Sequence, residues 1–477
     1  MAGSLTARRP RPARFRVILV AFWIGTGCGP RAAVVRYDPQ QAGRPLRVLC
    51  GDAGMCRLLG RTLAAPPPLV WPQGSRKAAV EAGCHRFDVA AGRGGDRAGA
   101  VAAGHWVAAW ERELREPDSA ANWLLQPVLG SDAVRLGGAE HVLGLSAEAV
   151  GVVVCFDRRT PDWSARLRHP ALSPTDRPQA AASGGVFRWT ADGSALVRAG
   201  VGRRGIGRVL LVEASDPSAP FAPDDVDLAV LYGRAAGELL AGRPPSLRTR
   251  RIPAWDRTYA VWLEAGARWT NDPGFRRWVG SALDREAMAS YLFGGTAEAA
   301  QALGVPGVAP VASASRGRRP FHDASRPELG LSYEGDDPSA ASIARRIKAV
   351  LDPQGVVVRL EPRGAAAERA LASREDQLSL VTHRALTADP LLGLIDTLWP
   401  LGRRAAPELG RLETASRLAD PGQRRELAGA IEATLVDSGR LVPLVRLHAW
   451  LATRPELGRV ETGSYGVLHL DRARWRR

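Results

Sequence analysis

The sequence predicts an α/β protein that is divided into more than one lobe. Its 477 residues are 45% hydrophobic, which is enough for a large buried core and for two or three lobes. The 51 glycines and 35 prolines indicate many turns and argue against one long helical array. Strands alternate with helices in the C-terminal third, and this alternation favours a layered α/β arrangement.

Short apolar runs bounded by turn residues predict the strands of the first half of the chain. We expect strands at residues 47–50, 149–156, 209–213 and 226–231. Polar or proline-rich stretches separate these runs and predict surface loops or linkers. They lie at residues 160–178, 244–253 and 313–327.

Two helices of the C-terminal third begin with the same signal, an aspartate followed by a proline. The aspartate can cap the free backbone N–H groups, and the proline fits the first helical turn. The starts are Asp337-Pro338 and Asp420-Pro421, and Gly355 and Gly439 mark the ends. The residues that we expect to point inward are Ile343, Ile347, Val350, Leu427, Ile431 and Leu435.

The N-terminus resembles an export signal. Five arginines and no acid precede an apolar stretch at residues 17–27, which is too short to span a bilayer and suits a signal-peptide core. Small residues before Cys28 resemble a bacterial lipoprotein cleavage site, so we expect residues 1–27 to be removed and Cys28 to carry lipid. An ordinary secretory signal with an incidental Cys28 is the alternative, because Gly25 stands where such sites usually carry leucine.

The basic charge of the chain does not indicate nucleic-acid binding. The net charge is +16 and almost entirely due to arginine, since Lys77 and Lys348 are the two lysines of the sequence. The arginines are scattered and do not form one basic stripe. Removal of residues 1–27, which carry five arginines and no acid, lowers the charge from +16 to +11.

Four cysteines remain after residue 28: Cys50, Cys56, Cys84 and Cys155. An even number in an oxidising compartment is compatible with two disulfides, for which three pairings exist. Cys50 and Cys56 are close enough in sequence to close one loop, and buried free thiols are the alternative.

No catalytic or metal-binding motif stands out. The eight histidines are dispersed, and no pair has ligand spacing beside an acid. The glycine-rich stretch at 202–207 lacks the lysine and hydroxyl residue of a phosphate-binding loop, so we interpret it as a hairpin turn. Residues 144–148 lack the second glycine of a nucleophile elbow. We therefore expect no enzyme, no catalytic residue, no cofactor and no metal.

Residues 275–295, FRRWVGSALDREAMASYLFGG, are the most informative stretch. By periodicity alone they predict an amphipathic helix that ends at a glycine pair. They also resemble the signature of family 5 extracellular solute-binding proteins, which bind dipeptides or oligopeptides for ABC importers. The matching residues are Arg276 or Arg277, Ala282, Leu283, Asp284, Arg285, Glu286, Gly294 and Gly295.

Other segments resemble the same family in the same order. They lie at 104–130, 183–189, 226–231, 259–264, 331–361, 441–444 and 466–475. Two departures stand out: Gly104-His105 replaces an acidic pair, and Glu264 replaces an asparagine.

The resemblance implies a two-lobed periplasmic-binding-protein fold (type II, Venus-flytrap) with an extra N-terminal subdomain. The expected parts after the signal at 1–27 are lobe one at 28–60, 176–257 and 441–477, the extra subdomain at 61–175, and lobe two at 258–440. Strands 441–444 and 467–470 would then belong to the sheet of lobe one.

The resemblance places ligand-binding residues at 381–390, VTHRALTADP. His383, Arg384, Leu386 and Asp389 would line the cleft, with Leu386 at the position where peptide-binding members carry the carboxylate that pairs with the ligand's α-amine. A shift of one to three residues would put Asp389 there, and packing of Leu386 at a strand end is the bland alternative. Further candidates are Trp262, His448 and Trp450.

The implied function is capture of a peptide-like or other small solute between the lobes and its delivery to an ABC permease. The protein would be a lipid-anchored extracytoplasmic monomer. Two alternatives stay open: a degenerate sensor or scaffold without transport, and a surface binder of an anionic polymer that uses the charge of +11.

Overall fold

The computed structural model describes most of the chain from residue 46 onward. The described residues are 46–50, 56, 59–60, 63, 78–81, 83–88, 96–116, 119–148, 151–157, 160–173, 187–189, 196–198, 208–213, 227–242, 247–264, 269–304, 326–363, 377–458, 460–462, 467–470 and 473–475. The predicted signal at 1–27, the lipidation site Cys28, the turn at 202–207 and most of the loop at 313–327 lie outside them.

Strands and helices are distributed along the whole described chain. The strands are β1 (Leu46–Cys50), β2 (Ala78–Glu81), β3 (Cys84–Asp88), β4 (Leu145–Ala147), β5 (Gly151–Cys155), β6 (Phe187–Trp189), β7 (Leu196–Arg198), β8 (Arg208–Glu213), β9 (Leu228–Leu231), β10 (Arg248–Arg251), β11 (Arg257–Leu263), β12 (Ala297–Ala299), β13 (Glu328–Glu334), β14 (Val357–Arg363), β15 (Gln377–Arg384), β16 (Leu441–Leu447), β17 (Trp450–Thr453), β18 (Leu457–Gly458), β19 (Glu461–Thr462), β20 (Leu468–His469) and β21 (Arg474–Trp475).

The described α-helices are α1 (Asp96–Arg115), α2 (Ala121–Leu124), α3 (Ser131–Arg135), α4 (Trp163–Leu167), α5 (Gly233–Gly242), α6 (Pro273–Ala282), α7 (Arg285–Phe293), α8 (Pro338–Leu351), α9 (Pro390–Leu398), α10 (Ala406–Ser416) and α11 (Pro421–Asp437). Short 3-10 segments lie at Pro170–Leu172, Pro253–Trp255, Asp352–Gln354 and Trp399–Ala405. None of the described helices is long and apolar enough to cross a membrane.

The first lobe is built on a sheet of seven described strands in the order β10-β17-β9-β1-β8-β7-β6. At its centre β1 runs parallel to both β8 and β9. The side chains of β1 and β9 are buried, as expected for a central parallel pair that is covered on both faces. The strands β17 and β10 extend the sheet in antiparallel fashion.

The second lobe is built on a sheet of six described strands in the order β12-β16-β11-β15-β13-β14. Every residue of β11 is buried, so this strand lies at the centre of the lobe. Tyr259 and Val261 pack on one side with residues of α6, α7 and α8. Ala260 and Trp262 pack on the other side with residues of α9, α10 and α11. Because side chains alternate along a strand, β11 thus joins two layers of helices.

The extra subdomain contains a four-stranded sheet in the order β2-β3-β5-β4, and α1 packs on it. Trp106 and Trp110 of α1 are fully buried. The described core of this subdomain is continuous with Leu391, Leu392 and Leu398 of α9. The subdomain therefore shares apolar surface with lobe two.

Local sequence signals are confirmed at several helix ends. Asp337 accepts hydrogen bonds from the backbone N–H of Ser339 and Ala340, and Asp420 accepts one from that of Gln423. The chain ends α11 at Gly439, whose φ of +68° is in the region that favours glycine.

The signature at 275–295 forms two helices, where periodicity alone predicted one. Helix α6 ends at Ala282, and Asp284 caps α7 through a hydrogen bond from the backbone N–H of Ala287. The aspartate of the signature therefore starts a new helix. Gly294, with φ of +54°, ends it.

Two strand assignments from the sequence are wrong. The segment at 441–444 was expected in the sheet of lobe one, but β16 pairs with β11 and β12 of lobe two. The chain returns to lobe one only after Leu447, and β17 then pairs with β9 and β10. The segment at 467–470 contributes β20, which pairs with β19 in a separate ladder. The apolar run at 441–447 stays in one strand because both of its edges find partners there.

The predicted linker at 244–253 also differs, because Arg248–Arg251 form β10. All four side chains of this strand are exposed and polar, so its sequence resembles that of a loop. It lies at the edge of its sheet, where charged side chains are common.

The four cysteines that follow residue 28 form two disulfides. Cys50 bonds to Cys56, and Cys84 bonds to Cys155. The second pair joins β3 to β5 within the subdomain sheet, where the two residues lie opposite each other.

Candidate functional site

The two lobes are joined at two chain crossings that lie side by side. The first crossing runs from β10 to β11 through the 3-10 turn Pro253–Trp255. The second runs from β16 to β17 through His448 and Ala449. The backbone N–H of Ile252 donates to the carbonyl oxygen of Ala449 at 2.8 Å. The crossings are therefore hydrogen-bonded to each other, and we call residues 252–256 and 448–449 the hinge.

Asp256 ties the hinge together. Its Oδ1 accepts from the backbone N–H of Ala449 at 3.0 Å, and its Oδ2 lies 3.2 Å from His448 Nδ1 and 2.5 Å from a guanidinium nitrogen of Arg251. Burial alone would raise the pKa of Asp256, but the hydrogen bonds from His448, Arg251 and Ala449 outweigh it and lower the pKa. An ionised Asp256 thus holds both crossings, and His448, a predicted ligand residue, lies in the hinge.

His383 is buried beneath α9. Its Nδ1 lies 2.7 Å from Thr397 Oγ1, and that hydroxyl donates to the carbonyl oxygen of Gly393 at 2.8 Å. Since the hydroxyl proton is used, Nδ1 is the donor to Thr397. Burial lowers the pKa of His383 to about 4, with a smaller lowering from Arg446 and a partial opposing effect of Asp396. The ring is therefore neutral near pH 7 and packs in the core of lobe two.

Asp389 caps α9 and forms a buried ion pair. Its Oδ1 accepts from the backbone N–H groups of Leu391 and Leu392 at 3.1 Å each. Its Oδ2 lies 2.5 Å from Nη2 of Arg424 and 2.8 Å from its Nε. Asp389 thus gives the third Asp-Pro helix start of the C-terminal third. Both of its oxygens have partners within the protein, which leaves little capacity for a ligand ammonium.

The neighbouring predicted residues are less buried. Arg384, the last residue of β15, lies 3.7 Å from Glu334 Oε2. Leu386 follows the strand and is half-buried, and its backbone N–H donates to the carbonyl oxygen of Arg384. These two residues have the partial exposure that contact with a solute requires.

The two predicted tryptophans lie in different lobes. Trp262 of β11 is fully buried in lobe two, and the guanidinium of Arg440 lies 4.5 Å from its ring centroid. Trp450 of β17 is half-buried in lobe one and packs with Leu49 and Leu231. The seven predicted residues therefore do not meet at one point, and their roles in ligand binding stay predictions.

A buried charge cluster that sequence reasoning missed joins the extra subdomain to lobe two. Asp162 of the subdomain lies 2.8 Å from Arg166 Nε and 3.6 Å from Nη2 of Arg424 in lobe two. Arg166 also donates to Ser416 Oγ of lobe two at 3.2 Å. Asp389 completes the cluster through Arg424. The pairs that join the subdomain to lobe two and Asp389 to Arg424 link distant positions: 35 residues separate Asp389 from Arg424, and 250 separate Arg166 from Ser416. Such distances leave no local signal in a sequence, so pattern analysis could not find the cluster.

No group of three or more histidine, cysteine, aspartate or glutamate side chains that could hold a metal ion occurs among the described residues.

Comparison with solved structures matches this architecture along most of the chain. NikA from Brucella suis, solved in complex with Fe(III)-EDTA, has a TM-score of 0.64 and 17% identity over 88% of this chain and 95% of its own. The murein tripeptide binding protein MppA of Escherichia coli has a TM-score of 0.61 and 15% identity over 84% of this chain and 88% of its own. This chain has the two-lobed fold of solute-binding proteins.

A third structure agrees. The ABC transporter substrate-binding protein CtaP of Listeria monocytogenes has a TM-score of 0.63 and 13% identity, over 92% of this chain and all of its own. No protein-family model matches the sequence, and no curated protein matches it. The resemblance predicted from residues 275–295 is confirmed for the fold. At such low sequence identities, similarity of fold does not indicate which ligand this chain binds.

Proposed function

We propose that this protein is the extracytoplasmic solute-binding component of an ABC importer. It captures a small solute between its two lobes and delivers the solute to a membrane permease. The protein performs no chemistry on its ligand. Binding energy is used to shift the lobes towards a closed state, because the closed state makes more contacts with the solute.

The hinge is the observation that carries this proposal. Two crossings, joined by the hydrogen bond between Ile252 and Ala449, connect the sheets of the two lobes. A rotation about two adjacent strands can open and close a cleft with small changes in a few backbone angles. Asp256 holds the crossings in register, so the lobes can rotate without separating.

The charges at 381–390 support a neutral or anionic solute. Leu386 cannot pair with an ammonium group, and the carboxylate of Asp389 is already paired with Arg424. Arg384 is half-exposed beside them. A desolvated ammonium without a charged partner costs several kcal/mol, roughly a thousandfold or more in affinity. A peptide with a blocked N-terminus, or an anionic chelate such as the one held by NikA, fits these residues better.

The resemblance of residues 1–27 to an export signal supports a place outside the cytoplasm, with lipid on Cys28 as the proposed anchor. The two disulfides are consistent with an oxidising compartment. Mass spectrometry of the membrane fraction should find diacylglycerol on Cys28, and a Cys28→Ala variant should be released. An unmodified Cys28 in membrane-bound protein would contradict the anchor and leave the binding function untouched.

Ligand capture can be tested by a thermal-shift screen of peptides, opines, sugars and metal chelates. Each ligand that raises the melting temperature is then examined by small-angle X-ray scattering, where lobe closure lowers the radius of gyration. We expect a ligand that does both. If ligands raise the melting temperature but none of them lowers the radius of gyration, capture by lobe closure is contradicted.

The alternatives give different results in the same experiments. Binding of an anionic polymer that collapses with modest salt, again without compaction, would favour a surface binder. Ligand-driven closure without association with permease subunits in detergent extracts would favour a sensor.

A further inference from the structure

A depression on lobe two collects arginine side chains away from the hinge. It lies between α6, the start of α7, the end of α11 and the start of β16, has a cavity volume of about 30 Å³ and is partly open to solvent. The lining residues that matter are Arg276, Arg277, Ser281, Arg285, Gln301 and Gly439. We call it the Arg285 depression. Its β16 residue Val442 precedes His448 of the hinge by six positions, or roughly 20 Å along an extended strand.

The lining of the Arg285 depression is strongly cationic. It contains three arginines and no carboxylate. Arg276 donates from Nε to the carbonyl oxygen of Ser438 and from Nη1 to those of Thr270 and Asn271. These acceptors are neutral, so they orient the guanidinium without neutralising its charge. Burial is the main cause that lowers the pKa of Arg276. The positive charges of Arg440 and Arg277 lower this pKa further, and Asp272 opposes them.

Arg285 is a cation of the lining whose guanidinium has no counter-charge among the described residues. It is half-buried, and no described residue forms a hydrogen bond or an ion pair with it. Burial is the cause that lowers its pKa, with no acidic group acting against it. The two acids adjacent in sequence, Asp284 and Glu286, are both exposed, and Asp284 accepts the capping hydrogen bond from the backbone N–H of Ala287. A partly desolvated guanidinium gains most from a bidentate oxyanion.

The floor of the depression is kept open by Gly439. A Cβ at this position would lie 2.9 Å from Cβ of Arg276, and the φ of +68° disfavours any other residue. Ser281 and Gln301 are exposed at the rim. Because Ser281 donates its hydroxyl to the carbonyl oxygen of Trp278 at 2.8 Å, the amide of Gln301 is the neutral side-chain donor of the lining. Three cations, of which Arg276 is held in place by hydrogen bonds, and the amide of Gln301 surround an open floor and form a receptor for negative charge.

We propose that the Arg285 depression binds an oxyanion, a phosphate or carboxylate group carried by a small molecule, separately from the interlobe cleft. Arg285 supplies the two parallel N–H groups, while Arg276 and Arg277 supply charge from the side. The site is independent of the solute that the cleft captures, so it can exist whether or not the transport function is correct.

Isothermal titration calorimetry of the folded protein tests the proposal with inorganic phosphate and with citrate, at ionic strength held constant with sodium chloride. We expect saturable binding, weakened about tenfold or more by Arg285→Gln, because the variant removes one charge-assisted pair. The affinity of Arg285→Lys should fall between those of the wild type and Arg285→Gln, since lysine keeps the positive charge but cannot donate two parallel hydrogen bonds. Arg425→Gln is the matched control, because Arg425 is exposed on α11 and the change in net charge is the same.

The outcomes separate clearly. Binding that is lost in Arg285→Gln and kept within about twofold in Arg425→Gln supports the site. Equal losses in both variants would show diffuse charge attraction and overturn it. No saturable binding of either anion at 10 mM, roughly the weakest affinity of use to a specific site, would overturn it as well. Tighter binding of hexaglutamate than of phosphate and citrate would assign the depression to an acidic peptide and overturn the small-molecule ligand.

Discussion

Nη2 of Arg424 lies 2.5 Å from Oδ2 of Asp389 and 3.6 Å from Oδ2 of Asp162, so one buried guanidinium joins lobe two to the extra subdomain. All three side chains are largely shielded from water, with exposed fractions of 4%, 14% and 1%. Arg166 supports Asp162 from the subdomain side. The subdomain and α9 are therefore positioned by shared charge as well as by shared apolar surface.

Replacing Arg424 with methionine should destabilise the protein strongly. The change keeps much of the volume but leaves Asp389 without its cation, and breaking a buried pair typically costs about 3–5 kcal/mol. Urea unfolding followed by circular dichroism measures the loss. Arg425→Met is the control, because Arg425 is exposed and its loss should cost less than about 0.5 kcal/mol. Equal effects of the two changes would contradict the role of Arg424.

The sequence predicts two Asp-Pro helix starts correctly, but the family resemblance places a third Asp-Pro pair in the cleft instead. The Asp-Pro pairs at 337–338 and 420–421 predict helix starts, and both aspartates cap as expected. For the identical pair at 389–390 the family resemblance predicts a place in the cleft, but Asp389 caps α9 in the same way. A cap is a local interaction between neighbours in sequence, so the residues themselves encode it.

Interactions between distant segments could not be predicted in this way. Residues 441–447 and 450–453 are both apolar and β-prone, and the two-residue crossing at His448 carries no signal of a change of sheet. The ion pair of Arg424 with Asp162 depends on packing of the subdomain against lobe two. The burial of His383 depends on α9 covering it. Tertiary contacts of this kind are set by the whole fold, and a single sequence does not display them.

The stability of the protein should fall between pH 6.5 and pH 4 because of His383. Burial lowers its folded-state pKa to about 4, whereas an unfolded histidine has a pKa of about 6.5. Below pH 6.5 the unfolded state binds the proton more readily, so the contribution to stability is complete above pH 6.5 and lost towards pH 4. The loss is on the order of 3 kcal/mol. Urea unfolding at several pH values should show a smaller slope in this window for His383→Gln, and an unchanged slope would contradict a buried neutral His383.

Asp256 should stabilise the protein at neutral pH and lose this effect in acid. This is the pH dependence expected of a carboxyl whose folded-state pKa is lowered. Its hydrogen bonds with His448, Arg251 and Ala449 lower its folded-state pKa below the ordinary value of about 3.8. Its contribution is therefore present above the unfolded pKa and lost as the pH falls through the folded pKa. We expect Asp256→Asn to cost about 1–2 kcal/mol at pH 7, and we expect this cost to shrink as the pH falls below 3.8 towards the folded-state pKa. Unfolding curves of both proteins at pH 7, 4 and 3 measure this, and a constant difference would contradict an ionised Asp256.

The two disulfides should differ in their contribution to stability. Cys84 and Cys155 are 71 residues apart, whereas Cys50 and Cys56 are 6 apart. Since the entropy that a cross-link removes from the unfolded chain grows with loop length, we expect losses of roughly 4 and roughly 2 kcal/mol. Paired serine variants, Cys84→Ser with Cys155→Ser and Cys50→Ser with Cys56→Ser, give the values by calorimetry. A larger loss from the short loop would show that strand packing outweighs loop entropy.

Leu386→Asp should change which peptides the cleft accepts, provided that the protein captures peptides as proposed. Leu386 is half-buried just beyond β15, and the carboxylate of Asp389 is held by Arg424 and by the N-terminus of α9. The wild type then has no carboxylate at 386 or 389 that is free to pair with a ligand ammonium, so free and N-acetylated forms of one peptide should bind within about threefold. A carboxylate at 386 adds a charged partner, and one such pair of about 1.5–3 kcal/mol should favour the free amine about tenfold or more. Calorimetry with both peptides on both proteins measures the four affinities, and Leu386→Asn serves as the control for polarity without charge. A strong preference of the wild type for the free amine would show that another carboxylate of the cleft already pairs with it.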